Sequence, residues 1–374
     1  MEKRKRIVVS VSNDLVTDQR VKKVCHSLYQ AEYQIYLIGR KRKLSPDLPN
    51  LPYACKRFNL FFETGFLFYA ELNIRLFFFL LFIKADAFHA NDLDTLFPNY
   101  LVAKLRRKPL IYDTHEYFTG VPEIQHRPVV KKVWTFLEAA IFPRLKHVFT
   151  VNDSIAELYF KDYGVRPEVI RNVPDTDSII IQKNRIALDI PDDKFIVVLQ
   201  GNGINIHRGA EEAVLAMKSI QKAVLFIIGS GDAIPAINEL ISQNQLEDKV
   251  RLIPRLPYSE LMQYTANANI GLSLDKDNNI NYRFSLPNKV FDYLNAGIPI
   301  LGSRLPEIEK IINETKAGLL IDQVDEISIA SVINQLIQNT EQYQTLKTNA
   351  VSNSNRYSWK NEVKPMLKVY NRLV

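Results

Sequence analysis

The sequence predicts an α/β protein of two Rossmann-like, doubly wound domains that face one another across a central cleft. Three observations carry this. Short apolar runs alternate with helical stretches along most of the chain, the pattern of parallel strands joined by helical crossovers. The alternation lapses once, between residues 174 and 191, into polar sequence with Pro174, Asp175 and Pro191, and then starts again. The 374 residues also exceed what one hydrophobic core usually serves.

Residues 1–173 form the first predicted domain. Its strands are expected at Arg6–Val11, Gln34–Gly39, Ala87–Ala90, Leu110–Asp113 and Val148–Val151, with helices at Gln19–Gln30, Phe97–Leu105, Val129–Ile141 and Ser154–Tyr163. Ligands of such sheets sit at the carboxyl ends of the strands. That directs attention to Asn13, Asp14 and Asp18 after the first strand, to Asn91, Asp92 and Asp94 after the third, and to Asp113, His115 and Glu116 after the fourth. Asp92 and Asp94 could position a hydroxyl or cap the following helix, and capping is the expectation for Asp94. Asp113 is expected to hold its loop. Arg20 is suited either to an anionic ligand or to a pair with Asp18.

Residues 58–88 are the most apolar stretch, but the longest unbroken run is the eight residues Leu76–Ile83, well short of the roughly 20 of a spanning helix. A buried helix hairpin against the sheet is expected. The alternative is that some Phe and Leu side chains stay exposed and dip into a bilayer beside the basic runs.

After the linker at 174–191, residues 192–356 repeat the alternation as a second Rossmann-like domain. Strands are expected at Phe195–Gln200, Val224–Ile228, Val250–Ile253, Ile270–Leu274, Pro299–Leu301 and Leu319–Asp322. Helices are expected at Gly209–Ser219, Ile234–Ser242 and Ser259–Ala268. In the first of these helices Ala210, Ala213, Val214 and Met217 share one face. The tail, 357–374, reads as a helix packing back toward the first domain.

The stretch Ser285–Ser303 holds the densest chemistry. Pro287 suits a first helical turn, Ser285 or Asn288 can cap it, Phe291 and Leu294 give an apolar side, and Gly297 ends it. The amides at that helix start attract phosphate, with Lys289 adding a full charge. Asp292, one turn on, can accept from a vicinal diol such as ribose. The loop Gly201–Gly209 opens another helix, but its third glycine comes six residues after Gly203, so the G-x-G-x-x-G dinucleotide spacing is not met. A Walker ending is absent too. Arg208 there is placed for a forked contact with phosphate. Gly229 and Gly231 end the next strand and keep side chains away from a ligand.

With 47% hydrophobic and 24% charged residues the chain is globular, and its formal charge is +7. The basic runs, Lys3–Arg6, Lys22–Lys23, Arg40–Lys43, Lys104–Lys108 and Lys131–Lys132, fall in the first half. No zinc pattern or aromatic RNA-binding motif accompanies them, so an anionic membrane surface or a diphosphate substrate is expected rather than nucleic acid. Cys25 and Cys55 are too few for a disulfide framework or a metal site. Met1–Asp14 holds too brief an apolar run for a signal peptide, which points to the cytoplasm.

Taken together, Asp18–Val21, Asn91–Thr95, Tyr112–Glu116, Val151–Ser154, Arg171–Pro174, the Arg208–Gly209 loop, Ile228–Gly231, and Asp292 with Gly297 and Pro299 resemble the nucleotide-sugar glycosyltransferases of the GT-B fold, family 4 (group 1), over nearly the whole length. The resemblance implies a ribose contact at Asp292, a diphosphate grip by Arg208 and Lys289 with Asn288 and Gly203, and a nucleoside site near Pro254, Arg255 and Gly229. It sets His115 against the donor sugar. Asn13, Asp18, Arg20, Asp92 and Glu116 are then candidates for the sugar or acceptor. The family's Glu-x7-Glu pattern is broken, because its first Glu falls at Phe284.

The expected activity is retaining, metal-independent transfer from a nucleoside diphosphate sugar, UDP-sugar favoured, to a hydroxyl of a cell-surface glycan or lipid-linked acceptor. No cofactor and no nucleic acid are expected, and the protein is expected in the cytoplasm, peripheral on the membrane's cytoplasmic face. Polysaccharide, lipopolysaccharide or capsule biosynthesis is the implied setting. A non-catalytic nucleotide-sugar-binding subunit and a sugar-nucleotide 2-epimerase are the alternatives.

Overall fold

A computed structural model describes residues 4–16, 18–43, 45–175 and 181–373. Residues 176–180 of the expected linker lie outside that set. The chain divides into two compact units, Met1–Asn172 with Lys360–Val374, and Val173–Trp359.

The first unit is a seven-stranded sheet of order β3-β2-β1-β4-β5-β6-β7. The strands are β1 (Arg6–Ser10), β2 (Gln34–Lys41), β3 (Ala54–Asn59), β4 (Ala87–Asn91), β5 (Leu110–Thr114), β6 (His147–Thr150) and β7 (Glu168–Val169). Every pairing is parallel. Its helices are α1 (Gln19–Gln30), α2 (Gly65–Phe82), α3 (Leu93–Arg106), α4 (Pro122–Gln125), α5 (Pro128–Ile141) and α6 (Asp153–Tyr163). Local chemistry sets the boundaries: Asp18 caps α1 by accepting from the Val21 amide at 3.0 Å, and Asn152 caps α6 at the Ile155 amide at 2.9 Å. Strand order reverses between β1 and β4, so the carboxyl ends of β1, β4 and β5 meet at a switch point.

The second unit repeats the design with six parallel strands in the order β10-β9-β8-β11-β12-β13. They are β8 (Phe195–Gly201), β9 (Ala223–Gly229), β10 (Val250–Ile253), β11 (Ile270–Ser273), β12 (Ile300–Ser303) and β13 (Gly318–Ile321). Around them lie α7 (Ala210–Ala216), α8 (Ile234–Gln243), α9 (Tyr258–Ala266), α10 (Ile280–Arg283), α11 (Asn288–Asn295), α12 (Pro306–Thr315), α13 (Glu326–Gln338) and α14 (Thr340–Ser352). The switch point falls between β8 and β11, and Val197 and Leu199 of β8, Leu225 and Ile227 of β9, and Ile270 and Leu272 of β11 are buried core. Two short helices, α15 (Trp359–Glu362) and α16 (Lys364–Leu373), finish the chain. Tyr370 of α16 is buried against the His89 ring in the first unit.

Residues 58–88 do not make a helix hairpin. Ala54–Asn59 is a parallel edge strand, and one 18-residue helix, α2, follows. Phe68, Leu72, Leu76 and Leu80 recur every fourth residue and fill a core with Val8, Ile38, Phe58 and Phe88. The expected cap on α11 also differs. Pro287 is its N-cap and no side chain caps the helix there; Ser285 Oγ instead donates to Asp275 Oδ2 at 3.0 Å.

Candidate functional site

Each unit gathers a polar cluster at its own switch point. In the first, α1 begins just past β1 and carries Arg20 inward. Its Nε and Nη2 donate to the two Asp113 oxygens at 2.9 and 2.7 Å, and Nη1 donates to the Ile170 carbonyl at 2.8 Å. Both partners are almost wholly buried. Arg20 therefore pairs with Asp113 and not with Asp18. Its planar fork is used on the carboxylate at the end of β5, a geometry a lysine could not reproduce. Asp18 is the cap of α1.

Two residues beyond Asp113, the half-buried His115 stands between two carboxylates. Nδ1 lies 3.2 Å from Asp92 Oδ2, and Nε2 lies 3.7 Å from Asp113 Oδ2. Asp92 also accepts from the His115 amide at 2.8 Å. Burial alone would pull the imidazole pKa down, but Asp92 and Asp113 outweigh it and raise it from 6.5 to about 9. Asp113 itself stays ionised. Burial opposes its charge, but Arg20 and His115 hold its carboxyl far below the usual range. The cluster is a buried guanidinium, a buried carboxylate and a protonated imidazole in line, closed by Asp92.

Asp92 is in an unusual backbone state, φ 57° and ψ 165°, a region essentially reserved for glycine. Its amide donates to the Asp113 carbonyl at 2.9 Å, which extends the β4–β5 pairing and fixes the twist. It occupies the N-cap position of α3 without making a side-chain cap. Asp94 does not cap either, since the helix starts before it. Buried in the first turn, its Oδ1 lacks a hydrogen-bond partner among the described residues, and burial with Asp92 nearby pushes its pKa up to about 7. Asn13 is exposed, with its carbonyl accepting from the Arg40 amide at 3.1 Å, and Glu116 is exposed beside His115. Asp14 is buried, held by the Val16 amide, Ser45 and Arg57.

In the second unit, the loop after β8, the end of β9, the segment after β11 and the start of α11 converge. Gly229 has φ 146°, and a Cβ there would lie 1.8 Å from the Gly201 carbonyl oxygen. Gly209 has φ 76°, and a Cβ would lie 2.4 Å from Leu274 Cβ. Only glycine lets these turns close on one another. Arg208 is thereby brought over the Tyr282 ring, 4.7 Å to the centroid, with Nη1 3.7 Å from Asp275 Oδ2. Lys289, half-buried on the first turn of α11, feels the same carboxylate. Desolvation lowers its pKa, and Arg208 adds to this while Asp275 opposes it.

Asp275 is the residue that sequence reasoning missed. Its side chain is wholly buried, and Oδ1 has no hydrogen-bond partner among the described residues. An acid two residues past a strand end was the available signal. It now organises a set of two cations and the Ser285 hydroxyl at the start of α11, which suits a strongly anionic group able to displace or share it.

Asp292 is buried one turn along α11, accepting from Gln200 Nε2 at 3.0 Å and from the Tyr258 hydroxyl at 2.6 Å. Gln200 and Tyr258 were not expected. A diol would have to share this carboxylate with Tyr258, which is 40% exposed. The structure thus assembles Arg208, Lys289 and Asp275, with Asp292 one turn further on. Gly203 and Phe284 are half-buried and Asn288 exposed around the same loops. Pro254 and Arg255 are exposed beyond β10, an edge strand.

Comparison with known proteins identifies the family and the fold. Residues 180–352 match the family "Glycosyl transferases group 1", and residues 18–178 match "Glycosyltransferase Family 4". Over 153 residues the chain is 26% identical to the lipopolysaccharide core biosynthesis glycosyltransferase LpsD of Rhizobium meliloti, 41% of this chain and 42% of that one. The chain spans less than half the length of the curated relatives it matches. Among solved structures it is similar to sucrose-phosphate synthase from Thermosynechococcus elongatus, with a TM-score of 0.80 at 17% identity over 99% of both chains. It is also similar to Anabaena HepE in complex with UDP and glucose, with a TM-score of 0.76 at 14% identity over 99% of this chain and 100% of that one. These likenesses establish the two-unit GT-B fold.

Proposed function

The chain belongs to the group 1 glycosyltransferases of the GT-B fold, and on that premise we propose that it transfers a sugar from a nucleoside diphosphate sugar to a hydroxyl. A UDP-sugar is the favoured donor, and the acceptor is a cell-surface glycan or a lipid-linked saccharide on the cytoplasmic face of a membrane. The observation that carries the reading is the Arg208, Lys289 and Asp275 cluster at the start of α11. UDP is present in the HepE complexes, and LpsD is a glycosyltransferase of lipopolysaccharide core biosynthesis, which supports both the donor class and the setting.

The chemistry asks for a stabilised leaving group and alignment more than for covalent help. As the sugar–phosphate bond breaks, negative charge grows on the departing diphosphate. Arg208, Lys289 and the α11 amides would neutralise it, with Asp292 fixing the ribose end. No metal is part of the proposal. In the first unit, His115 would present a fixed positive charge to the donor sugar, with Asp92 setting its orientation. Retention of anomeric configuration is part of the proposal, and the family likeness supports it.

Titration calorimetry with UDP tests the grip. Arg208→Ala and Lys289→Ala should each weaken binding about tenfold or more, the scale of a lost hydrogen bond to a charged group. If both variants bind as the parent does, the site is misassigned.

A further inference from the structure

The 18 residues of α2 are apolar on every side, with a mean hydropathy of 1.6, yet only one side is covered by protein. Leu67, Ile74, Phe78 and Phe82 turn away from the core and are 52, 59, 56 and 80% exposed. The turn before the helix adds Phe61, 86% exposed, and the first turn of the helix adds Phe66, 77% exposed. A helix that is apolar all round belongs inside protein or lipid. Phe68, Leu72, Leu76 and Leu80 already belong to the first unit's core, so α2 cannot cross a membrane without stripping that core away.

Charge decides what covers the outer face. The acid on α2, Glu71, accepts from the Phe61 and Phe62 amides at 2.9 and 3.1 Å and pairs with Arg75 at 2.6 Å, so its charge is used within the segment. Cations stand at both ends. At the amino end, Arg40 donates to the Glu63 carbonyl at 2.9 Å and lies 4.1 Å over the Phe68 ring, followed by exposed Lys41, Arg42 and Lys43. At the carboxyl end, Arg106 donates to the Leu80 and Ile83 carbonyls at 2.8 and 2.6 Å, which brings exposed Lys84, Lys104 and Arg107 alongside.

We propose that the outer face of α2 is a docking surface for an anionic lipid bilayer. The helix, about 27 Å long, lies in the interfacial plane with its basic ends on the headgroups and its Phe, Leu and Ile side chains in the acyl boundary. A second copy of the chain is a poorer occupant, because pairing two such helices antiparallel sets one cationic end against the other. The proposal deepens the reading of a membrane-borne acceptor but stands on its own observations.

Vesicle flotation tests it. The parent should float with phosphatidylcholine vesicles containing about a third phosphatidylglycerol and stay behind with pure phosphatidylcholine. Ile74→Ser with Phe78→Ser should cut partitioning about tenfold or more while keeping the parent's circular dichroism spectrum. Lys104→Ser with Arg107→Ser, a surface change that leaves the apolar face intact, should cut it by about tenfold on anionic vesicles. Arg208→Ala with Lys289→Ala should float as the parent does, which separates this proposal from the nucleotide site. Three results would overturn it: a parent that stays unbound on anionic vesicles at low salt, an Ile74→Ser/Phe78→Ser variant that floats like the parent, or a parent dimer that this variant turns into a monomer.

Discussion

Asp92 shows most clearly what one residue contributes to the first unit's cluster. Its left-handed φ costs about 1–3 kcal/mol, and the structure keeps it because the amide extends the β4–β5 pairing while the carboxylate holds both the amide and the ring of His115. The consequence is measurable through pH. His115 has its folded pKa raised from 6.5 to about 9, so its contribution to stability is complete below 6.5, declines between those values and is gone above about 9. Asp92→Asn removes the largest raising influence and should shift that decline to lower pH by about one to three units. Thermal denaturation across neutral to alkaline pH, with the imidazole followed by NMR, checks it. None of this was legible residue by residue. His115 at a strand end was visible, but Arg20 and Asp113 are 93 residues apart, and only the crossover from β1 brings them together.

At the scale of elements, the alternation of apolar runs and helices revealed most strands because buried parallel strands are nearly continuous Val, Ile and Leu. The two it missed, β3 and β7, are the two edges of the first sheet. Edge strands are short and polar: β3 carries Lys56 and Arg57, and β7 is two residues long. The expected hairpin failed for a related reason. In a segment apolar on all sides, periodicity cannot tell a covered face from an open one. The distinction shows in mutation. Leu72→Ala on the core face of α2 should cost about 2–5 kcal/mol, whereas Phe78→Ser on the outer face should stay within about 0.5 kcal/mol in detergent-free solution. Urea denaturation of both variants reads the difference directly, and equal costs would mean that both faces are packed.

At the scale of the whole molecule, two sheets built to one plan carry different charges of work. The second unit's order around β8 and β11 puts the Arg208, Lys289 and Asp275 cluster at the start of α11, and most of it was legible because Arg208, Lys289 and Asp292 lie in loops and a helix start with strong local signals. Asp275 and Tyr258 were not, since their part in the site depends on how those loops fold onto one another. The first unit holds the protonated imidazole and the apolar, base-flanked helix. The proposed activity is transfer of a sugar from a nucleoside diphosphate donor. The most direct measurement is incubation with a panel of UDP-, GDP-, ADP- and CMP-sugars, following free nucleotide and the fate of the sugar. The account predicts release of nucleoside diphosphate from at least one donor, UDP-sugars first, by transfer or slow hydrolysis, and its loss in Arg208→Ala and Lys289→Ala. An isomerised sugar nucleotide, or tight binding to every donor with no release, would contradict it.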